Sequence, residues 1–334
     1  MRWGIIGMGY MAKKFANSLS KLNNTSLKGI SSKSNFKLKK YGDRFNIENK
    51  YRFNDYEEIL KCNEIDNIYI GTINNTHYEI VNKAIAYKKN ILCEKPMTTS
   101  YKNTQKIINS LKKSEVFFME ALPYTVHPQT SFIIKIIKEN RIGNLHKITS
   151  SFGNDKSDKK DEHRLFNKDL GGGAILDLGC YPISFSNLIS KINYKKNKLP
   201  KILNTKGIIV NKVDTEASIT LEYENGLRSF IQLSIINDLE NKTILIGDKG
   251  KIIINNLWSP EKKNFIEIHE NNRYYKLFVK SEYSLIENQI NIINKLIIDN
   301  KRQTSSEQIS WANSLENAFM IDLWRENLEK ANEN

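Results

Sequence analysis

Short apolar runs alternate with amphipathic stretches through the first third of the chain. RWGII at 2–6, SLKGIS at 26–31, DNIYIGT at 66–72, NILCE at 90–94 and EVFFME at 115–120 predict buried strands. Between the first two, Ala12, Phe15, Ala16, Leu19 and Leu22 fall on one face at 3.6-residue spacing and predict a helix. Strands and helices alternating at this spacing predict an α/β domain with a doubly wound parallel sheet, whose ligands bind at the carboxyl ends of the strands. After about residue 120 the pattern changes. A helix from His127 to about Asn140 is followed by the strand HKITSSFG, a polar loop over 154–169, and a glycine turn leading into a helix at LGGGAILDLGCYPISFSNLIS. From 205 to 280 strands dominate. ASITLEY and LRSFIQLSI flank Asn225 and Gly226, a strong hairpin signal, and KTILIG with KIIINN and FIEIHE with YYKLFV form two more. This predicts a second, α+β domain with a large, mostly antiparallel open sheet, closed by helices near 284–299 and 306–330. The expected division is 1–120 and 121–334.

The 334 residues suffice for two cores, and 40% hydrophobic with 10% aromatic content excludes global disorder. No run approaches the roughly 18 apolar residues of a membrane span, since even FIIKIIK at 132–138 is broken by lysine. Glycines in the apolar N-terminal stretch, with charged residues close behind, argue against a signal peptide. Cys62, Cys93 and Cys180 are scattered and odd in number, which points to a reducing cytoplasm and away from a disulfide framework. His77, His127, His146, His163 and His269 form no paired metal motif, so no metal site is expected. The net charge of +14 raises nucleic-acid binding, which predicts salt-sensitive association with DNA or RNA. Only nine of the 51 basic residues are arginine, and the lysines travel with asparagine and isoleucine, as coding from AT-rich DNA produces. No nucleic-acid partner is therefore expected.

Chemistry concentrates at the strand ends. RWGII runs into Gly7, Met8, Gly9, Tyr10, Met11 and Ala12, a GxGxxA fingerprint between a strand and a helix. There Gly7 permits the tight turn, Gly9 admits a pyrophosphate at the helix N-terminus, and Ala12 allows close packing. The second strand ends at Ser31, Ser32 and Lys33, where NAD-selective folds place an acid, yet no acid precedes Asp43. Ser32, Lys33 and Lys37 instead suit the 2′-phosphate of NADP, with NAD possible. Glu94, Lys95 and Pro96 follow the strand NILC. Lys95 there would face a nicotinamide and hydrogen-bond a substrate oxygen or transfer a proton; the plain alternative is a surface lysine before a turn proline. Asp177 and Tyr181, four apart, share a helix face. A tyrosine acid or base needs a nearby cation, which Lys95 could supply, although helix tyrosines are usually packing residues. Pro182 and Gly179 leave the local helix geometry open.

GMGYMA, GTINNTH at 71–77, CEKP at 93–96, MEALPYTVHP at 119–128 and LGGGAILDLGCYP at 170–182 together resemble the Gfo/Idh/MocA oxidoreductases, over essentially the whole chain. Within that family the likeness is to the dihydrodiol and D-xylose dehydrogenase branch. The resemblance implies an N-terminal Rossmann domain and a C-terminal sheet that serves as a homodimer face. It also implies Lys95 as catalytic lysine, Tyr181 as proton donor or acceptor, Asp177 as a substrate or polar-network residue, and Thr72, Asn74, His77 and Glu94 along the cofactor. Two departures stand out: Ile73 replaces a usual proline, and Thr125 stands where the branch carries arginine, leaving Arg164 as another candidate guanidinium. The expected function is an NAD(P)-dependent oxidoreductase acting on a carbonyl or secondary alcohol of a sugar-like or diol substrate. Its rival is a non-catalytic nucleotide-binding sensor, which has no need of both Lys95 and Tyr181.

Overall fold

The computed structural model describes residues 1–159, 163–194, 198–271 and 273–333; residues 160–162 of the expected 154–169 loop lie outside the described residues. The chain forms two compact units, one of 1–122 with 286–315, the other of 123–285 with 316–334.

In the first unit β1 (Arg2–Ile6), α1 (Tyr10–Leu19), β2 (Ser26–Ser31), α2 (Asn35–Arg44), β3 (Arg52–Phe53), α3 (Tyr56–Lys61), β4 (Asn67–Ile70), α4 (His77–Ala86), β5 (Asn90–Glu94), α5 (Tyr101–Lys112) and β6 (Phe118–Ala121) follow in order. The six strands are parallel in the order β3-β2-β1-β4-β5-β6, the doubly wound sheet expected from the alternating pattern. The order reverses between β1 and β4, so the β1–α1 turn lies at the switch point where ligands of such sheets bind. Ile6, Ile68, Ile70, Ile91 and Phe118 fill the core beneath Val81, Ile107 and Leu111 from the helices. Residues 286–315, expected with the second domain, group with this unit. Long-range bonds explain why: the Phe118 amide donates to the Arg302 carbonyl at 2.9 Å, and the Trp311 indole donates to the Phe118 carbonyl at 3.2 Å.

The second unit contains α6 (Pro128–Lys138), β7 (Leu145–Gly153), a π-helical segment (Ile175–Gly179), α7 (Cys180–Tyr194) and seven further strands. These are β8 (Lys201–Val210), β9 (Val213–Glu222), β10 (Arg228–Ser234), β11 (Leu239–Gly247), β12 (Gly250–Asn255), β13 (Lys263–Glu270) and β14 (Arg273–Lys280). Helices α8 (Leu285–Ile298) and α9 (Trp311–Glu333) complete the chain. The eight-stranded sheet runs β14-β13-β12-β11-β7-β10-β9-β8 and is antiparallel except where β7 pairs with β10. The Asn225-Gly226 turn closes β9 onto β10, with Gly226 at φ +82° and the Leu227 amide donating to Asn225 Oδ1. Ile219, Leu221 and Tyr223 are buried on one face, where the Tyr223 hydroxyl donates to Asn187 Oδ1 of α7 at 2.8 Å. The other face carries Thr149, Ser151, Ser218, Thr220, Phe230 and Gln232 around an open depression.

Candidate active site

The β1–α1 turn has the shape a dinucleotide requires. Gly7 sits at φ +87°, and a Cβ there would lie 2.8 Å from the Gly71 carbonyl oxygen, so side chains are excluded both by conformation and by the approach of the β4 loop. Gly9 is the N-cap of α1 and makes no side-chain cap. A Cβ on Gly9 would meet only the Gly71 oxygen, at 3.8 Å, leaving open space before the first-turn amides of α1. The first bond back to the cap is from the Lys13 amide to the Gly9 carbonyl, at 3.1 Å. Unused amides, a positive helix end and room for close approach fit a pyrophosphate. Met8 is buried, Met11 half-buried and Tyr10 exposed, beneath the Lys14 ammonium.

At the end of β2, Ser32 is buried and its Oγ accepts from the Ser34 amide at 3.2 Å. Lys33 is exposed and its Nζ lies 3.0 Å from Asp55 Oδ2. Lys37 is exposed on the first turn of α2. An acid 22 residues further along the chain from Lys33 thus lies beside the end of the second strand. β3 pairs beside β2, Ser31 with Phe53, and the Ser31 hydroxyl donates to the Asp55 carbonyl at 3.0 Å. The Glu57 amide and the Lys33 ammonium hold the Asp55 carboxyl below its ordinary range. Asp55 was not singled out from sequence: an aspartate before YEEIL signals a helix cap, but its pairing with Lys33 comes about through a two-residue strand that has no periodicity to read.

The β4 and β5 ends are tied together by His77. Fully buried, its Nδ1 lies 2.9 Å from the Pro96 carbonyl oxygen and its Nε2 lies 3.2 Å from that of Thr72. Thr72 also accepts a hydrogen bond from the Thr76 hydroxyl, and Asn74 is buried at the start of the following turn. Ile73 sits half out of the surface with its carbonyl accepting from Thr76, so the loss of proline leaves the turn intact. Glu94 Oε1 accepts from the Tyr69 hydroxyl at 2.6 Å, and the Tyr69 ring stacks on Phe15 of α1 at 4.1 Å. Lys95, partly exposed, precedes Pro96 through a cis peptide. The buried Glu120 accepts from the Met97 amide at 2.8 Å, bracing the turn that carries Lys95. Burial pushes the Glu120 carboxyl up, against the pull of its hydrogen bonds and of the Lys95 ammonium. Glu120 was not singled out from sequence, where it reads as one more strand residue.

Asp177 and Tyr181 belong to the second unit. The LGGG turn before them is explained by two approaches: a Cβ on Gly172 would lie 2.4 Å from the Leu165 carbonyl oxygen, and Gly173, at φ +110°, would place one 2.2 Å from Asp214 Oδ1. Asp214, buried on β9, accepts from the Ile175 amide at 2.6 Å, and burial raises its carboxyl to about 6. From this anchor the chain enters the π-helical segment that carries Asp177, then α7 with Tyr181 in its first turn. Arg164 Nη2 donates to Asp177 Oδ1 at 3.1 Å, and its Nη1 is buried without a hydrogen-bond partner among the described residues. The Tyr181 ring lies in an aromatic cluster, 5.6 Å from Phe152, 5.9 Å from Trp258 and 6.1 Å from Tyr124. Thr125 is buried in the turn after Pro123 and supplies no charge. Among the described residues no group of three or more histidine, cysteine or acidic side chains could hold a metal, and no helix is long and apolar enough to cross a membrane.

Comparison with known proteins places this architecture. Residues 1–122 match the family described as "Oxidoreductase family, NAD-binding Rossmann fold", and 132–253 match the "GFO/IDH/MocA C-terminal domain". Trans-1,2-dihydrobenzene-1,2-diol dehydrogenase of Xenopus tropicalis is 31% identical over 78% of this chain and 77% of its own, and that of Mus musculus 29% identical over 78% and 76%. Among solved structures, a 3-ketoreductase from Actinomadura kijaniata, in complex with NADP and TDP-benzene, superposes with a TM-score of 0.88 at 19% identity, covering 98% of both chains. An aldose-aldose oxidoreductase from Caulobacter crescentus does so with a TM-score of 0.88 at 17% identity, covering 99% of this chain and 98% of that one. With its nucleotide cradle, its two-unit fold and these relatives, the chain belongs to the Gfo/Idh/MocA family of NAD(P)-dependent oxidoreductases.

Proposed function

We propose that this enzyme moves hydride between NADP and a carbonyl or secondary alcohol of a sugar-like or diol substrate, with Lys95 and Tyr181 managing the proton. The observation that carries the reading is the cradle at Gly7 and Gly9, open before the amides of α1, on the same sheet edge as the braced turn that presents Lys95. When bound, the nicotinamide supplies or accepts the hydride. The protein orients both partners: Gly9 and the α1 amides take the pyrophosphate, Lys33 and Ser32 the ribose end, and Thr72, Asn74, His77 and Glu94 line the β4 and β5 ends. Lys95 donates to the substrate oxygen, Tyr181 gives or takes its proton, and Asp177 fixes a substrate hydroxyl. Lysine at the ribose end favours NADP, with NAD also accepted. The diol and sugar activities named for the relatives support the substrate class.

Two further readings accompany it. A homodimer forms through the sheet face that carries Phe230 and Gln232, which light scattering checks; a monomer at micromolar concentration contradicts it. Three free cysteines, two of them buried, suit the cytoplasm.

A screen of sugars and diketones with NADPH and NADH tests the activity. Tyr181→Phe should then lower turnover by about 10² to 10⁴ with NADPH affinity nearly intact, as loss of a general acid does, and Lys95→Met at least as much. Unchanged turnover in both variants would place the proton chemistry elsewhere.

A further inference from the structure

Lys33, proposed above for the ribose end of the nucleotide site, is held in an ion pair. In a doubly wound nucleotide fold, the residues after β2 meet the 2′ position of the adenosine ribose. Lys33 is the cation there, and its Nζ lies 3.0 Å from Asp55 Oδ2 and 5.0 Å from the Tyr56 ring centroid. Asp55 is held in place by bonds of its own. Its carbonyl accepts from the Ser31 hydroxyl at 3.0 Å, the Ser32 amide donates to the Phe53 carbonyl two residues earlier at 3.1 Å, and Asp55 Oδ1 caps α3 by accepting from the Glu57 amide at 2.6 Å. With one carboxylate oxygen committed to the helix cap, the other is left beside the ammonium.

We propose that Asp55 sets cofactor choice by competing with the 2′-phosphate for Lys33. A phosphate recruits the ammonium only by opening the pair, whereas NADH, with a neutral 2′-hydroxyl, leaves it closed. Asp55 is therefore a specificity-determining residue that limits the NADPH preference Lys33 would otherwise confer. The inference rests on the dinucleotide reading of the first unit and adds to it the acid that second-strand chemistry lacks. The side chains are 62% and 48% exposed, so the pair shifts an equilibrium by about two- to fivefold, as exposed pairs do.

The test is calorimetric titration of NADPH and NADH into the wild type, Asp55→Asn, Lys33→Met and the double variant at low salt. Asparagine keeps the cap acceptor and removes the charge. Asp55→Asn should tighten NADPH about two- to fivefold and move NADH less than twofold. In the Lys33→Met background the same change should move NADPH less than twofold, since the competitor then has nothing to hold. An unchanged NADPH affinity in Asp55→Asn overturns the inference, as does an equal gain with and without Lys33, which would reveal bulk charge and no competition. Binding of neither nucleotide to the wild type would instead remove the dinucleotide reading and this inference with it.

Discussion

A carboxylate held by a guanidinium is fixed in direction as well as in charge, and Asp177 is held this way. Arg164 Nη2 lies 3.1 Å from Asp177 Oδ1, with the two side chains 33% and 14% exposed. The pair therefore lies between the surface limit, where ion pairs contribute little, and the buried limit, where losing one partner is severe. On the proposed function, in which Asp177 fixes a substrate hydroxyl, Arg164 would be a positioning residue acting through Asp177. Arg164→Met should lower kcat/KM by about tenfold, the lower end for a hydrogen bond to a charged group, with NADPH affinity and thermal midpoint nearly unchanged. Arg164→Lys should recover only part of that, because an ammonium lacks the planar fork that fixes a carboxylate. Equal kcat/KM in wild type and Arg164→Met would leave Asp177 without need of a partner. From sequence, Arg164 could be named but not placed, since it is 13 residues from Asp177 across a loop and the glycine turn.

Among the elements, the glycine turn and the π-helical segment show how far a pattern can be read. LGGG was legible as a turn before a helix, and the close approaches at Gly172 and Gly173 are its physical reason. The π segment was not legible, because one wider turn changes neither composition nor periodicity, and Gly179 and Pro182 signalled only irregularity. Hairpin signals located β9 with β10 and β11 with β12, yet nothing local says that β7 inserts between β10 and β11 and runs parallel to β10. Turn chemistry reports neighbours in the chain, while sheet order depends on distant ones. The same limit hid β3, the Asp55 pair it creates, and the grouping of residues 286–315 with the first unit. The turn also yields a prediction. Gly172→Ala forces a methyl against the Leu165 carbonyl, and overpacking of this kind costs about 1 to 3 kcal/mol. The variant should melt several degrees lower and lose turnover, since the displaced backbone leads into Asp177 and Tyr181. A melt within one degree of wild type would show that the turn relaxes freely.

At the scale of the whole molecule, 51 basic against 37 acidic residues leave a net charge of +14, so acid adds to an existing self-repulsion. Two buried groups of the second unit then bend the stability profile in opposite directions. His127 caps α6 by accepting from the Gln129 amide, which requires an unprotonated Nδ1, and burial lowers its pKa to about 4. Between about 4 and the ordinary value near 6.5, the unfolded chain binds the proton and the folded one does not. This contribution is complete above 6.5 and is lost as pH falls toward 4. Asp214 behaves oppositely. Its folded value of about 6 lies above the ordinary 3.8, burial outweighing the Ile175 and Ala174 amides and the Arg325 charge, so the folded state keeps a proton that the unfolded state has lost. Its contribution is present below about 3.8 and is lost as pH rises through 6. Denaturant unfolding at pH 4.5 and 7.5 separates the two. His127→Asn keeps an acceptor for the cap and should shift the change in stability from pH 4.5 to 7.5 downward, by an amount on the order of 2 kcal/mol. Asp214→Asn keeps an acceptor for the Ile175 amide and should shift it upward by a similar amount. Profiles for both variants that run parallel to wild type would show that neither group titrates in this window, and the acid response would then belong to the surface charge alone.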